Sequence, residues 1–137
     1  MKLFVGAKGV VHHKGKVLLV RESSEYADGT GEGQWDMVGG RIEPEETVRD
    51  GLVREVREES GLTVTPGALL DVFDGFPEIR GEACHVVRLY FLCEASSADV
   101  VLSDDHDSYE WVDPGDIGEK VLMNDIREML DVAKNLL

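Results

Sequence analysis

Three glutamates, Glu55, Glu58 and Glu59, stand close together in the segment "GGRIEPEETVRDGLVREVREESGL", which spans residues 39–62. The segment predicts a helix over residues 47–60, and at about 100° per residue the three carboxylates fall within an arc of about 100°. Like charges at neighbouring helical positions repel each other. A divalent cation that takes oxygen ligands, Mg²⁺ or Mn²⁺, would supply the counter-charge. An acidic cluster of this spacing is by itself more typical of a solvated helix face, and that alternative stays open at this point.

The predicted helix has recognisable ends. Thr47 is a good N-cap, and Asp50 stands three residues later as the second half of a capping box. Gly61 is a C-terminal stop. Within the helix, Gly51 has no side chain and so allows another segment to approach closely. The glycine pair at 39–40 could then present a backbone carbonyl as a further ligand for the cation.

The elements that must position this helix are predicted from periodicity and turn signals. Residues 3–11 and 16–21 predict a hairpin whose polar "HHKG" turn exposes His12 and His13. The acidic, glycine-rich segment 22–34 predicts a loop. Strands and helices are interspersed, which predicts an α/β fold with a mixed β-sheet flanked by helices. The remaining predicted elements are a short strand over 35–38, one or two strands over 62–76, a long strand over 83–95, a short strand over 108–114 and a closing helix over 121–137.

Composition and charge limit the class of protein. The chain has 137 residues, of which 42% are hydrophobic. This predicts a single domain over residues 1–137 with one core. A formal net charge of -14 argues against nucleic acid and anionic lipid as partners, because both need a positive field at the contact. A ligand that carries phosphate groups would need cations to bridge the two negative partners. Solubility or a salty cytosol explains the acidity equally well.

The cysteines and the apolar runs bear on the cellular compartment. Cys84 and Cys93 form neither a disulfide framework nor a metal-ligand spacing. A reducing cytosol is therefore the expected compartment. Charged and histidine residues interrupt the first twenty residues, so no signal peptide is predicted, and no run is long enough to span a membrane. We expect a cytoplasmic protein.

The glutamate-bearing segment resembles the signature of the Nudix hydrolases. That signature is a Gly, five residues, a Glu, seven residues, and then Arg-Glu-aliphatic-x-Glu-Glu-x-Gly-aliphatic. The flanking stretches "VLLVR", "GQWDMVGGRIE" and "SDDHDSYEWVDPGDI" also resemble the family, so the resemblance covers most of the chain. Val38 stands where the family usually has Pro, and Glu45 where it often has Gly, but neither change removes a ligand. The signature positions are filled by Gly40, Glu46, Arg54, Glu55, Val56, Glu58, Glu59, Gly61 and Leu62.

The resemblance implies an α/β/α sandwich that hydrolyses nucleoside diphosphates linked to another moiety, with Mg²⁺ or Mn²⁺ as cofactor. It also implies a role for each residue of the signature, including a brace between the helix and the loop before it. The implied metal ligands are the Gly39 carbonyl, Glu55, Glu58 and Glu59, and the implied structural residues are Gly40, Glu46, Arg54 and Gly61.

The implied reaction is attack of water on one phosphorus of a diphosphate bridge. Glu59 is the first candidate for activating the water, directly or through the metal, with Asp105 second, and Glu58 completes the candidate catalytic set. Many family members carry an acid, commonly Glu followed by His, in a loop before a Trp-bearing strand, where this chain has Asp105 and His106. Aspartate has a shorter reach than glutamate, and a solvated turn is the alternative explanation. The neighbouring acids that could replace Asp105 are Asp104, Asp107 and Glu110.

A net-negative site would bind a polyanion better with the help of basic side chains. Arg21, at the end of "VLLVR", is the best candidate for contacting the substrate. The alternative is that Arg21 simply pairs with Glu22 or Glu25.

The substrate within the nucleotide class stays open. Pro77 stands fifteen positions after the signature, as in the ADP-ribose branch of the family, although "GFPEIRGE" also has the composition of a turn. A compact chain suits nucleoside triphosphates equally, and the Tyr expected for dinucleoside polyphosphates is absent from its place. A nucleotide sensor without turnover is the rival function, and a homodimer stays open. The aromatic side chains that could stack on a base, although such residues are more often core, are Trp35, Phe73, Phe76 and Tyr90.

Overall fold

The structure, a computed structural model, describes residues 1–24 and 31–137. The centre of the predicted 22–34 loop, with Glu25, lies outside the described residues. The described residues form eight strands and two helices. In chain order these are β1 (Lys2–His13), β2 (Lys16–Glu22), β3 (Trp35–Asp36), β4 (Gly39–Arg41), α1 (Val48–Ser60), β5 (Val64–Gly75), β6 (Glu78–Ile79), β7 (Glu82–Ala95), β8 (His106–Val112) and α2 (Ile126–Leu136).

The strands form a mixed sheet, as predicted. Its main path runs β3-β2-β1-β7-β5, with β4 paired to β1, β8 to β2 and β6 to β7. β1 and β7 are parallel along eleven residue pairs from Lys2↔Cys84 to His12↔Glu94. The other pairings between two strands of the described residues are antiparallel. The parallel pair therefore forms the centre on which the remaining strands are assembled.

One helix packs on each face of the sheet, because successive side chains of a strand point to opposite faces. On β1, Ala7 and Val11 face the core under α1, whereas Val10 faces the core under α2. The helices contribute Leu52 and Val56 to the first core and four residues, including Met129, to the second. This arrangement confirms the predicted α/β/α sandwich.

The first hairpin is tighter than the sequence predicted. The strand pairing continues to the end of β1 at His13, so the turn consists only of Lys14 and Gly15. Their φ angles of 52° and 81° are typical of a two-residue hairpin turn. The prediction that His12 and His13 are exposed turn residues is therefore wrong. Both are partly buried strand residues, and Nδ1 of His13 lies 3.0 Å from the carbonyl oxygen of Ala95.

The closing helix is shorter than predicted. α2 begins at Ile126, and Leu122 instead forms a bridge with Trp35 of β3. At the other end, Leu137 is exposed and does not join the core. The predicted strand region 62–76 contains one strand, β5, which spans Val64–Gly75 and has register irregularities against β7. No helix in the two described ranges is long and apolar enough to cross a membrane.

Candidate active site

Helix α1 positions the glutamates, and its ends follow the sequence signals. The Asp50 N–H donates to the Thr47 hydroxyl at 3.1 Å. At the other end, Gly61 has a φ of 72°, and its N–H donates to the Arg57 carbonyl. This left-handed conformation favours glycine, which has no Cβ to clash. The predicted capped helix over residues 47–60 is therefore confirmed to within one residue.

A bidentate ion pair holds the loop before α1 against the helix. Arg54 donates from Nη2 to Oε1 of Glu46 at 2.6 Å and from Nε to Oε2 at 3.0 Å. Glu46 also accepts a hydrogen bond from the Glu43 N–H at 2.7 Å. The Arg54 hydrogen bonds, followed by that of Glu43, lower the pKa of Glu46 to about 2. A side chain at Gly51 would overlap Glu46 and Ile42, so the loop can approach only because Gly51 has none.

The same guanidinium gathers two of the predicted metal ligands. Nη1 of Arg54 donates to Glu55 at 3.0 Å and lies 3.3 Å from both carboxylate oxygens of Glu58. Glu58 is largely exposed, whereas the Glu55 side chain is mostly buried against Gly40. Burial raises the pKa of Glu55, and Arg54 opposes that rise. The structure thus brings the carboxylates of Glu55 and Glu58 together, because both contact the positively charged guanidinium group of Arg54.

Glu59 occupies a different environment from the other two glutamates. It is only 6% exposed, and its Oε1 accepts a hydrogen bond from the Gly39 N–H at 2.9 Å. Burial raises the pKa of Glu59 to about 8, although the positive charge of Lys8 and the Gly39 hydrogen bond act in the opposite direction. Gly39 itself has a φ of 146° and leaves no room for a Cβ beside the Ala7 carbonyl. A glycine is thus required where β4 passes the buried carboxylate.

A partly buried lysine that sequence reasoning missed, Lys8, lies near enough to Glu59 for their charges to interact. Nζ of Lys8 donates to Asp36 at 2.6 Å and to the Met37 carbonyl at 3.2 Å. Burial lowers the pKa of Lys8, but the negative charges around it, Asp36 first, outweigh this effect and raise its pKa overall. The available signal was a single lysine within the apolar run "FVGAKGVV" of β1. A charge in such a run is seldom buried without a partner.

Glu55 and Glu59 contact glycines that line a cleft of about 810 Å³. Strands β1 and β4 contribute Lys8, Gly39 and Gly40 to its lining. The segment after β5, strand β7 and the start of α2 contribute other residues. Because Glu55 packs against Gly40 and Glu59 bonds to Gly39, the carboxylates of α1 lie directly against this lining. Further lining residues are Phe76, Pro77, Arg88, Tyr90, Asn124 and Asp125.

The carboxylates fit a divalent cation by their chemistry. Across residues 1–24 and 31–137, no three Asp, Glu, His or Cys side chains converge on one point as arranged. Glu55 and Glu58 are instead directed to Arg54, and Glu59 to the Gly39 N–H. The candidate metal-ligand atoms of Glu55, Glu58 and Glu59 are nevertheless all carboxylate oxygens within two turns of one helix. Oxygens of this kind are the hard ligands that Mg²⁺ and Mn²⁺ prefer.

The loop before β8 is tied to the end of β2. The Asp105 carbonyl accepts a hydrogen bond from the Ser23 N–H at 2.9 Å. Burial raises the pKa of Glu22, and the charge of Asp105 acts in the same direction. His106 is buried, which lowers its pKa to about 4. Asp105 is thus held close to the buried Glu22.

Arg21 lies outside the cleft lining. Its Nε donates to Oδ1 of Asp107 at 2.7 Å, and both side chains are roughly half exposed. Within the described residues Arg21 therefore does form an ion pair, with Asp107 and not with Glu22. Glu22 is buried and accepts a hydrogen bond from the Gly31 N–H, and Glu25 lies outside the described residues. The fallback acid Asp107 is thus occupied by Arg21.

Comparison with known proteins identifies the family. The NUDIX domain model matches residues 3–132. The chain belongs to the NUDIX domain family. This identification confirms the Nudix resemblance and the prediction of a pyrophosphohydrolase-type enzyme. Nucleoside triphosphatase NudI of Klebsiella pneumoniae (strain 342) is 31% identical over 115 residues, which cover 79% of this chain and 80% of the relative.

Solved structures of other Nudix proteins confirm the fold. The MutT protein from Methanosarcina mazei Go1 superposes with a TM-score of 0.83 at 28% identity, covering 98% of this chain and 95% of that one. An ADP-ribose pyrophosphatase from Streptococcus suis 89-1591 superposes with a TM-score of 0.73 at 21% identity, covering 97% and 90%. At this lower identity the likeness concerns the fold alone. The Nudix chain described here therefore shares its fold with a MutT protein and with an ADP-ribose pyrophosphatase.

Proposed function

We propose that this Nudix protein hydrolyses the diphosphate bridge of a nucleoside triphosphate by attack of water on phosphorus, with Mg²⁺ or Mn²⁺ as cofactor. The observation that carries the proposal is the placement of Glu55 and Glu59 directly against the lining of the cleft at residues 39–40. A triphosphate in the cleft would then have carboxylate oxygens and a partly buried lysine, Lys8, beside it.

The proposed cation would be held by Glu55, Glu58 and Glu59 together with the Gly39 carbonyl. When bound, such a cation neutralises phosphate oxygens and lowers the pKa of water. Arg54 positions two of these carboxylates, and the Glu46–Arg54 pair fixes Arg54 to the loop before the helix.

The remaining roles are assigned to the chain's own side chains. Glu59 takes the proton from the attacking water, and Asp105 is the second candidate for accepting that proton. Glu58 completes the proposed catalytic set. Lys8 supplies a positive charge to the cleft of a chain whose formal net charge is -14. Arg21 remains a candidate for contacting the substrate only if its pair with Asp107 opens.

The choice of a nucleoside triphosphate rests on the similarity to nucleoside triphosphatase NudI, at 31% identity over most of both chains. ADP-ribose is the second candidate, and the observation that favours it is the placement of Pro77 in the lining of the cleft. We further propose one domain over residues 1–137, a cytoplasmic location, supported by the two free and buried cysteines, and a homodimer as the assembly to be tested.

The test is hydrolysis of a panel of nucleoside triphosphates, ADP-ribose and diadenosine polyphosphates with Mg²⁺ or Mn²⁺, followed by release of product. We expect Glu59→Gln to lower kcat by about 10³-fold, the middle of the range for loss of a general base. Chelation of divalent cations should abolish turnover, and re-addition should restore it.

Glu45→Gln is the matched control, because Glu45 is an exposed acid of the same segment that the proposal leaves without a role. Its kcat should stay within twofold of the wild-type value, as expected for a surface substitution. Tight nucleotide binding without turnover by the wild type would identify the sensor instead. Equal activity of Glu59→Gln and Glu45→Gln would reject the assignment of Glu59.

A further inference from the structure

Phe76 is the exposed aromatic of the cleft. It lies between β5 and β6, lines the cleft and is 69% exposed. Large apolar side chains left in water lose the free energy that burial would provide. Because the ring lines the cleft, it is available for a ligand to cover.

The other aromatic candidates for stacking are already packed in the protein. Phe73 and Tyr90 contact each other edge to face, with ring centroids 5.6 Å apart, and Tyr90 is only 1% exposed. Trp35 packs against the core under α2, and the Lys120 ammonium lies over its ring, 5.1 Å from the ring centroid. Of the four aromatic residues singled out from the sequence, Phe76 is thus the one whose ring is open to the cleft.

One face of the Phe76 ring is covered by another side chain of the protein. His85 of β7 stacks on it, with centroids 4.6 Å apart and an interplanar angle of 25°. The imidazole of His85 lies 3.7 Å from Asp74, which precedes Phe76 by two residues. A ring backed on one face in this way loses little conformational freedom when a second planar group covers it.

The surroundings of Phe76 provide polar groups beside the ring. A side chain at Gly75 would overlap Nη1 of Arg88, so the missing Cβ allows the guanidinium to lie against the chain next to Phe76. Arg88 in turn donates to Oδ2 of Asp125 at 2.6 Å, and both residues line the cleft beside Asn124. An apolar ring with amide, carboxylate and guanidinium groups nearby matches the chemistry of a nucleobase, which has an apolar face and polar edges.

We propose that Phe76 is the stacking platform for the base of the nucleotide substrate and so makes the enzyme selective for nucleosides over base-free phosphates. This inference rests on the proposed function, because it names the part of the same cleft that receives the base. Stacking is present both before and during the reaction, so it contributes to KM and leaves kcat unchanged.

The test compares Phe76→Ala with Val72→Ala. Val72 is also an exposed apolar residue, on β5, but it does not line the cleft. For the best nucleoside triphosphate, we expect Phe76→Ala to raise KM roughly tenfold at unchanged kcat, from the usual strength of base–aromatic stacking. Phe76→Trp should restore KM, and Val72→Ala should not change it.

A binding experiment separates this inference from the proposed function. Adenosine 5′-monophosphate and ribose 5-phosphate are titrated as inhibitors or by calorimetry, and we expect Phe76→Ala to weaken only the nucleotide. Tryptophan fluorescence of Phe76→Trp should be quenched by the nucleotide and not by the sugar phosphate. Thermal unfolding of the three variants should match that of the wild type, because both altered positions are exposed.

The outcomes are distinguishable. If the wild type hydrolyses nucleotides but Phe76→Ala behaves like Val72→Ala, the platform is rejected and the proposed function stands. Equal weakening of the nucleotide and the sugar phosphate also rejects the platform. If nucleotides bind in a Phe76-dependent way without turnover, the platform stands and hydrolysis is rejected. If the wild type neither binds nor hydrolyses nucleotides, both proposals are rejected.

Discussion

The two helices pack on the same sheet but begin in different ways. α1 is preceded by Thr47, whose hydroxyl accepts a hydrogen bond from the N–H of Asp50 within the same turn. α2 is preceded by Asp125, which has a φ of 76° and, within the described residues, no capping hydrogen bond from its side chain. The Asp125 carboxylate instead accepts a hydrogen bond from Arg88 at a sequence separation of 37. The start of α1 is therefore a local property, whereas the start of α2 depends on a distant strand.

This difference separates the two parts of the cleft. In the part bordered by α1, the glutamates lie on a helix whose two caps are formed by residues of the same chain segment. The part at the start of α2 is shaped by an aspartate diverted from its usual capping role. The left-handed conformation of a residue other than glycine costs about 1–2 kcal/mol, so tertiary contacts must hold Asp125 in place. A hydrogen bond within one turn thus fixes the start of the helix in the acidic part of the cleft. A long-range ion pair fixes the start of the helix in the part proposed to receive the base.

Among the variants that test this comparison, the largest effect is expected from the arginine that organises the carboxylates of α1. Arg54→Ala releases Glu46, Glu55 and Glu58 together, and we expect kcat to fall about 100-fold, the upper range for loss of a residue that orients metal ligands. The matched control is Arg57→Ala, because Arg57 lies on the same helix and contacts Thr63 at 3.4 Å instead. Steady-state kinetics with circular dichroism measures both. Similar kcat values for the two variants would contradict the special role of Arg54.

A smaller effect is expected from the starts of the two helices, and it tests the contrast between them directly. Asp125→Asn should lower the free energy of unfolding by about 2 kcal/mol, because Arg88 loses a charge-assisted hydrogen bond. Thr47→Ala should lower it by about 1 kcal/mol through loss of the N-cap. Urea denaturation measures both values.

Repeating both substitutions in a protein that already carries Arg88→Met tests this comparison further. In that background the cost of Asp125→Asn should largely disappear, whereas the cost of Thr47→Ala should be unchanged, since only contacting residues are coupled. If both costs respond alike to Arg88→Met, the distinction between a local and a long-range helix start is wrong.

The smallest effect concerns the pH dependence of the brace before α1. The pKa of Glu46 is lowered to about 2 from an ordinary value of 4.5, chiefly by the hydrogen bonds from Arg54. A lowered pKa means that the pair stabilises the folded state fully above pH 4.5 and that this contribution is lost as the pH falls toward 2. The difference in unfolding free energy between the wild type and Glu46→Gln should therefore shrink across that interval. Chemical denaturation at a series of pH values measures it, with the exposed Glu45→Gln as the control substitution.

The sequence alone identified much of the site because the relevant signals are local. The caps of α1 act within one turn, and the spacing of its glutamates follows from the helical period. The family signature added the pair of Glu46 and Arg54, which the structure shows as a bidentate contact. In contrast, the prediction that His12 and His13 occupy a turn failed, because the positive φ angles of Lys14 and Gly15 allow a tighter hairpin.

What the sequence by itself determined is the fold class, the ends of α1 and the cluster of acids on that helix, because helical periodicity, capping and strand alternation depend on near neighbours. Only the tertiary structure decided that Glu59 is buried beneath Gly39, that Lys8 pairs with Asp36 at a separation of 28 residues, and that Phe76 stays open to the cleft. Burial and long-range ion pairing depend on which strands become neighbours. That information lies in the packing of the whole sheet, beyond the reach of any short segment of the chain.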